Sequence, residues 1–183
     1  MILAVVVLLA AVALGWLLGG SLSQLGDLSL RSGRLVLTAM VLQVLGGLIG
    51  GPFYAAGLIA STVLVAAFLL RNRGVQVTGL IALGLLANSL VVSLNGAMPV
   101  AGSAAGRAGV STHDLLTRAD PRHELSHDRT RLAALSDIVP LPWPVLPEVV
   151  SPGDIAIAAG LGELIVLGML GATARRPARS GLP

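Results

Sequence analysis

The string His123-Glu124-Leu125-Ser126-His127 is the stretch whose residue types and spacing match a known catalytic pattern, H-E-x-x-H. On a helix, histidines at i and i+4 share a face and hold zinc, while the intervening glutamate activates the metal-bound water. The pattern needs a third protein ligand, and the options His113, Asp128, Asp137 and Glu148 stand in no motif. The surrounding segment is also short for enclosing a dry, shaped cavity around a metal. A solvated polar helix face is the simpler reading. A zinc-dependent membrane protease using His123, Glu124 and His127 stays as an alternative, and no cofactor is otherwise implied.

Glu163 is the second candidate, because it interrupts an uncharged apolar run. At a helical rise of ~1.5 Å it lies about 16 Å inside a helix starting near Ser151, close to the midplane of a bilayer core. An acid at that depth suggests a proton or cation path, with Gln43 and Asn88 as intramembrane polar partners. The plainer reading is a protonated glutamate bonded between helices, or one that reaches a neighbouring subunit. A small transporter or ion-coupled protein using Glu163 is thus another alternative. It is weakened by a single mid-membrane acid, no second architectural repeat and no broken helix.

The composition says what must position these groups. The chain has 183 residues, 55% hydrophobic and 11% charged, with mean hydropathy +0.88. Soluble domains carry about 25% charged residues. A chain this apolar cannot cover its own surface with polar groups, so lipid must do so. There is no cysteine, which excludes disulfides, thiolate nucleophiles and cysteine-ligated zinc or iron–sulfur sites. The net charge is +3 and every basic residue is arginine. The arginines stand in small groups at the ends of apolar runs rather than in one patch interleaved with aromatics, which argues against nucleic acid and for membrane orientation.

Residues 1–20 form an uncharged run about long enough to cross a bilayer. A cleaved signal peptide is the rival, but a positively charged start and an A-x-A-like site are missing. Residues 21–34 form a short polar connection bearing Asp27, Arg31 and Arg34. The uncharged run 35–70 is broken by Gly50-Gly51-Pro52, a natural tight turn, into short helices at 35–50 and 53–70. A re-entrant hairpin is the alternative. Gly15/Gly19, Gly46/Gly50 and Gly47/Gly51 have the spacing that lets membrane helices approach closely. After the basic turn Arg71-Asn72-Arg73-Gly74, residues 75–94 make another crossing, whose Asn88, Ser89 and Ser93 should face the bundle. Ser151-Pro152-Gly153-Asp154 starts a last helix to about residue 172, with serine as N-cap and Asp154 at the positive end of the dipole.

Between the last two crossings lies the one long polar segment, 97–150, holding all three histidines and most of the acids. Residues 101–109 read as small and flexible. Asp120-Pro121 predicts a helix running to about Ser136, and the proline-rich stretch 138–150 reads as extended. The piece is too small to own a good core, so it should fold as a lid on the helix ends. Five crossings put Arg31/Arg34, Arg71/Arg73 and Arg175/Arg176/Arg179 on one side and the N-terminus, the Gly-Gly-Pro turn and the lid on the other. The positive-inside bias makes the arginine side cytoplasmic. Trp16 and Phe68 then fall near the inner interface, and Phe53, Tyr54 and Trp143 near the outer one.

The succession Asn95-Gly96-Ala97-Met98-Pro99-Val100, then His123, Leu125, Thr130, Leu132, Leu135, Asp137-Ile138-Val139-Pro140 and Ser151-Pro152-Gly153-Asp154 resembles a family of small multi-pass bacterial membrane proteins. That family, a domain of unknown function, occurs largely in actinobacteria and firmicutes. Gly19-Gly20, Leu25, Leu28, Leu30-Arg31 and Gln43 extend the resemblance. It implies a membrane location and no known activity. His123 matches the family's pattern while Glu124 and His127 stand outside it, so the H-E-x-x-H string looks accidental. The chain departs at Ser136 and Ala97, where the family has glycine, and Glu163 belongs to no motif of it. Asn95, His123, Asp137 and Asp154 should converge. They are either caps and helix terminators or an outer-face site for a partner loop, lipid headgroup or cation.

The expectation is therefore an all-α membrane protein: a five-helix transmembrane bundle, with helices one to four in 1–96, an extracytoplasmic lid in 97–150, and the fifth helix and basic tail in 151–183. It should sit in a bacterial plasma membrane with the N-terminus outside and the C-terminus cytoplasmic. The leading function is a non-enzymatic component binding membrane lipid or another membrane protein through its lid, with a homo-oligomer left open.

Overall fold

The computed structural model describes residues 2–26, 30–72, 78–116 and 120–172. Asp27, Leu28, Arg73, the start of the helix expected at Val75, and Arg175, Arg176 and Arg179 lie outside the described residues. In chain order come α1 (Ile2–Leu17), α2 (Leu22–Gly26), α3 (Arg34–Ile49), α4 (Pro52–Arg71) and α5 (Thr78–Asn95). Then follow β1 (Met98–Val100), α6 (Gly102–Ala108), α7 (Thr112–Leu116), β2 (His123–Leu125), a 3-10 turn (Ala133–Leu135), β3 (Val139–Leu141), β4 (Glu148–Val150) and α8 (Pro152–Met169). The fold is mostly helical. Two helices, α4 and α8, are long and apolar enough to cross a membrane; α1, α3 and most of α5 are shorter apolar helices.

Local chemistry sets the helix ends. Gly50 and Gly51 take positive φ angles of 75° and 55°, which only glycine adopts readily, and Pro52 opens α4. At α8, the Ser151 hydroxyl accepts the Asp154 N–H at 2.9 Å and the Asp154 carboxylate accepts the Ser151 N–H at 3.1 Å. This is a reciprocal capping box.

The long helices pack in the order α3, α4, α5, α8, α1. Contact is close because small residues fill the seams. A Cβ on Gly84 would stand 2.4 Å from the Gly153 carbonyl oxygen, and one on Gly46 would stand 2.8 Å from that of Phe53. Of the Gly15/Gly19 pair, Gly15 lies against Met169, while Gly19 has nothing near and makes a turn at φ 84°. Small and polar Ser61, Thr62, Asn88 and Ser89 are buried, whereas Leu9, Leu37, Leu48, Val63, Leu83 and Leu86 are exposed. One end of the helices gathers the α3–α4 turn, the N-terminus of α1 and the 97–150 segment. There the Glu148 carboxylate accepts the Ile2 and Leu3 N–H groups at 3.0 and 2.6 Å, and Pro121 lies against Gly50. At the other end Ser21 bonds Met169 and Asn72 bonds Arg31.

The 97–150 segment corrects the all-α expectation. β1 pairs in parallel with β2, and β3 pairs antiparallel with β4. The other edge of β1 is bridged by Asp137, whose N–H reaches the Pro99 carbonyl and whose carbonyl accepts the Ala101 N–H, both at 2.9 Å. Pro99 is tolerated between the two partners because this single bridge needs its carbonyl and no N–H from it. The helix predicted from Asp120 to Ser136 is absent. Asp120 instead accepts the Arg122 N–H at 3.0 Å, and Thr130 accepts the His127 N–H at 2.9 Å. Such local side-chain bonds compete with helix, and the open edge of β1 takes up residues 123–125. Residues 101–109, expected to be flexible, form α6 with Ala104, Ala105 and Ala108 buried. The segment also owns a small core, in which Val100 and Ala105 pack with Val110, Leu125 and Val149. The extended reading of 138–150 agrees with β3 and β4.

The α5–α8 seam leaves no room for a methyl group. A Cβ on Gly153 would fall 2.0 Å from Asn88 Oδ1, whereas one on Gly106 of α6 would meet nothing within 4 Å. Gly153→Ala should destabilise the purified protein by about 1–3 kcal/mol through overpacking. Gly106→Ala should leave it unchanged or stabilise it by up to about 1 kcal/mol. Thermal unfolding of the pair checks the packing, and equal melting temperatures would contradict it.

Candidate functional site

The polar groups of the 97–150 segment converge at His123. Arg122 grips Asp120 with both prongs of its guanidinium, Nε to Oδ1 at 2.8 Å and Nη2 to Oδ2 at 2.7 Å. Hydrogen bonds from Arg122 hold the Asp120 carboxyl well below the usual carboxylate range. An ionised Asp120 only accepts, so His123 Nδ1, 3.0 Å from Asp120 Oδ2, is assigned as the donor. That tautomer leaves the Nε2 lone pair facing Asp137 Oδ2 at 3.7 Å.

Asp137 is 3% exposed. Its main chain is fixed to β1 on both sides, but its Oδ1 is buried with no hydrogen-bond partner among the described residues. Burial pushes its pKa up to about 8, and the neighbouring charges of Asp154 and Glu148 push the same way. Asp137 is thus biased toward its protonated form, with His123 Nε2 beside it. The row Asp120, His123, Asp137 leads from a half-exposed carboxylate to a buried carboxyl group and can hold or pass one proton. Beside it opens a cleft of about 370 Å³, bounded by Gly51 and Pro52 of the α3–α4 turn, Asn95 and Gly96 at the end of α5, and Pro121 and His123.

The residues singled out from sequence separate into different roles. His123 and Asp137 meet. Asn95 lines the same cleft, but its amide is engaged: Nδ2 donates to the Val91 and Arg131 carbonyls, and Oδ1 accepts the Arg131 N–H. Asp154 stands in the capping box and also accepts from Asn88 Nδ2 at 2.7 Å. Gln43 bonds Ser61 at 2.9 Å across α3 and α4. Glu163 is exposed on α8 and meets neither Gln43 nor Asn88. Glu124 lies in strand β2 and also borders the cleft, while His127 lies in the turn beyond, its Nδ1 accepting the Arg129 N–H. The shared helix face that zinc would need does not form, and no three His, Asp or Glu residues are arranged to hold a metal ion among the described residues. Sequence reasoning missed Asp120 and Arg122. Their signal was Asp120-Pro121-Arg122, an acid and an arginine straddling a turn-forming proline.

The raised pKa of Asp137 gives a pH dependence of definite sign. Its folded value of about 8 lies above the ordinary 3.8, so the folded state holds a proton that the unfolded state releases between those values. Stability should fall as pH rises through this window, by at most about 1.4 kcal/mol per pH unit from this group. Asp137→Asn should flatten the fall between pH 5 and 8, a range in which Asp120 stays ionised. Denaturation midpoints across that range check it, and parallel profiles for the two proteins would show that Asp137 is ionised in the fold.

No curated protein and no solved structure matches the chain. The family of unknown function DUF5317 matches residues 27–166. The matched stretch runs from before α3 into α8 and contains the whole polar segment, including Asp120, His123 and Asp137. The chain is a member of that family.

Proposed function

We propose that the chain is a multi-pass membrane protein with five crossings and a non-enzymatic role, binding a partner protein through the 97–150 segment on the extracytoplasmic side. Five apolar helices packed in a row support the membrane part. Many of their large aliphatic side chains are exposed while Ser61, Thr62, Asn88 and Ser89 are buried, the reverse of what water favours. Glu148 at the N-terminus of α1, the Gly50-Gly51 turn and the polar segment share one end, while Arg31 and Asn72 share the other. With arginines inside, the polar segment lies outside.

The observation that carries the binding role is the cleft at which an oriented His123 faces a buried, incompletely satisfied Asp137. Buried polar atoms are nearly always paired, and an orphan calls for a partner or a function. A peptide amide or a hydroxyl from a docked loop would fit this cleft and bond His123.

The chain has no cysteine, so single cysteines report cleanly. A cysteine at exposed Asp128 should react with a membrane-impermeant maleimide in intact cells, and one at exposed Arg71 only after permeabilisation. The opposite pattern would invert the topology. A cross-linker on a cysteine at Pro121, beside the cleft, should capture one recurrent foreign protein, with the yield reduced by His123→Ala. Self-links or lipid adducts alone would end the partner reading.

A further inference from the structure

We propose that the groove between α1 and α8 is a docking site for a transmembrane helix of another protein, and that Glu163 there pairs with an arginine or lysine at mid-depth of that helix. This rests on the membrane reading above. The groove measures about 410 Å³ and is walled by Ala10, Ala11 and Leu14 of α1 and by Ala159, Gly162 and Glu163 of α8. Its floor of alanine and glycine admits a close helix. Its shape is set in advance, because α1 is fastened to the rest of the fold at both ends. Glu148 holds Ile2 and Leu3, and Met169 receives the Ser21 N–H at 2.9 Å and packs on Gly15.

Glu163 supplies the specificity. It is exposed on this surface, and no hydrogen bond or ion pair engages it among the described residues. By helix rise it stands about 16 Å past the start of α8, too deep for its short side chain to reach either interface of a core roughly 30 Å thick. An ionisable side chain at that depth is normally paired or faces a polar path. The other residues that line the groove are apolar.

The occupant must bring a positive charge to mid-depth. A lipid headgroup amine stays at the interface. A second copy of this chain has no cation to offer there, because no arginine or lysine interrupts its apolar runs 2–26, 35–70, 78–95 and 152–169. A foreign helix with a basic residue satisfies both the groove and the acid.

The test uses the full chain in its native membrane, with a photoreactive residue at Val166 on the groove wall. The expected product is one foreign membrane protein, linked within an apolar span that contains arginine or lysine. Glu163→Leu should reduce the yield by at least about tenfold, as expected on truncating one partner of a desolvated charge pair. Glu163→Arg should abolish it, and an acid at the partner's basic position should restore it. Links only between copies of this chain, links only to lipid, a linked span without a basic residue, or a yield unmoved by Glu163→Leu would each overturn the proposal. Release of the chain from membranes by alkaline carbonate would overturn the membrane reading and this site together. Retention with any of the four adverse results would overturn the site alone.

Discussion

A helix leaves its last carbonyl groups without partners, and this fold repeatedly uses asparagine to connect such an end to a distant loop. Asn72 caps α4. Its Nδ2 donates to the Phe68 carbonyl one turn back and to the Arg31 carbonyl, while its Oδ1 accepts the Arg31 N–H. Asn95 ends α5 and does the same with Val91 and Arg131. Each amide closes its own helix and then treats an arginine main chain as a strand would. The first clamp ties the α1–α3 connection to α4, and the second ties the polar segment to α5. The position of everything in 97–150 relative to the helices depends on the second clamp and on β1, which follows Asn95 directly.

The α5–α8 seam meets the same constraint inside the helix pack. Asn88 Oδ1 accepts the Ser151 hydroxyl at 2.9 Å, and its Nδ2 donates to Asp154. The Ser151 hydroxyl thus donates to Asn88 and accepts from the Asp154 N–H. These groups satisfy one another because Gly84 and Gly153 let the main chains meet. The capping box holds an acid near Asp137 and so helps keep that carboxyl protonated. An interaction that shapes a helix terminus therefore also adds to the upward push that burial gives a neighbouring carboxyl.

Much of this was legible locally. Gly50-Gly51-Pro52 admits little besides a turn, and Ser151-Pro152-Gly153-Asp154 carries its cap in adjacent residues. The placing of Asn88 and Ser89 inside the helix pack followed from the cost of exposing them to an apolar surround; Ser93, expected beside them, is instead exposed and donates to the Ser89 carbonyl of its own helix. The stretch after Asp120 was not legible, for a physical reason. An aspartate followed by proline opens a helix or a turn equally well, and the choice was made by the edge of β1, more than twenty residues earlier in sequence. With the helix went the zinc reading of His123, Glu124 and His127. In its place came the Asp120–Arg122 grip on His123, which depends on side chains crossing a turn that helical spacing cannot show.

Most buried or apolar-facing polar groups here are answered from within: Gln43 by Ser61, Thr62 by Ser89, Asn88 by Ser151 and Asp154. Folding that pairs these so consistently makes the leftovers informative. Among the described residues they include Asp137 Oδ1 and Trp143 Nε1 in the polar segment and Glu163 on α8. Neither carboxyl caps a helix or closes a turn with its side chain. Asp137 is buried, with His123 between it and the cleft, whereas Glu163 lies open on an apolar face. Under the roles proposed above, burial in one case suits a polar ligand and exposure in the other suits a helix.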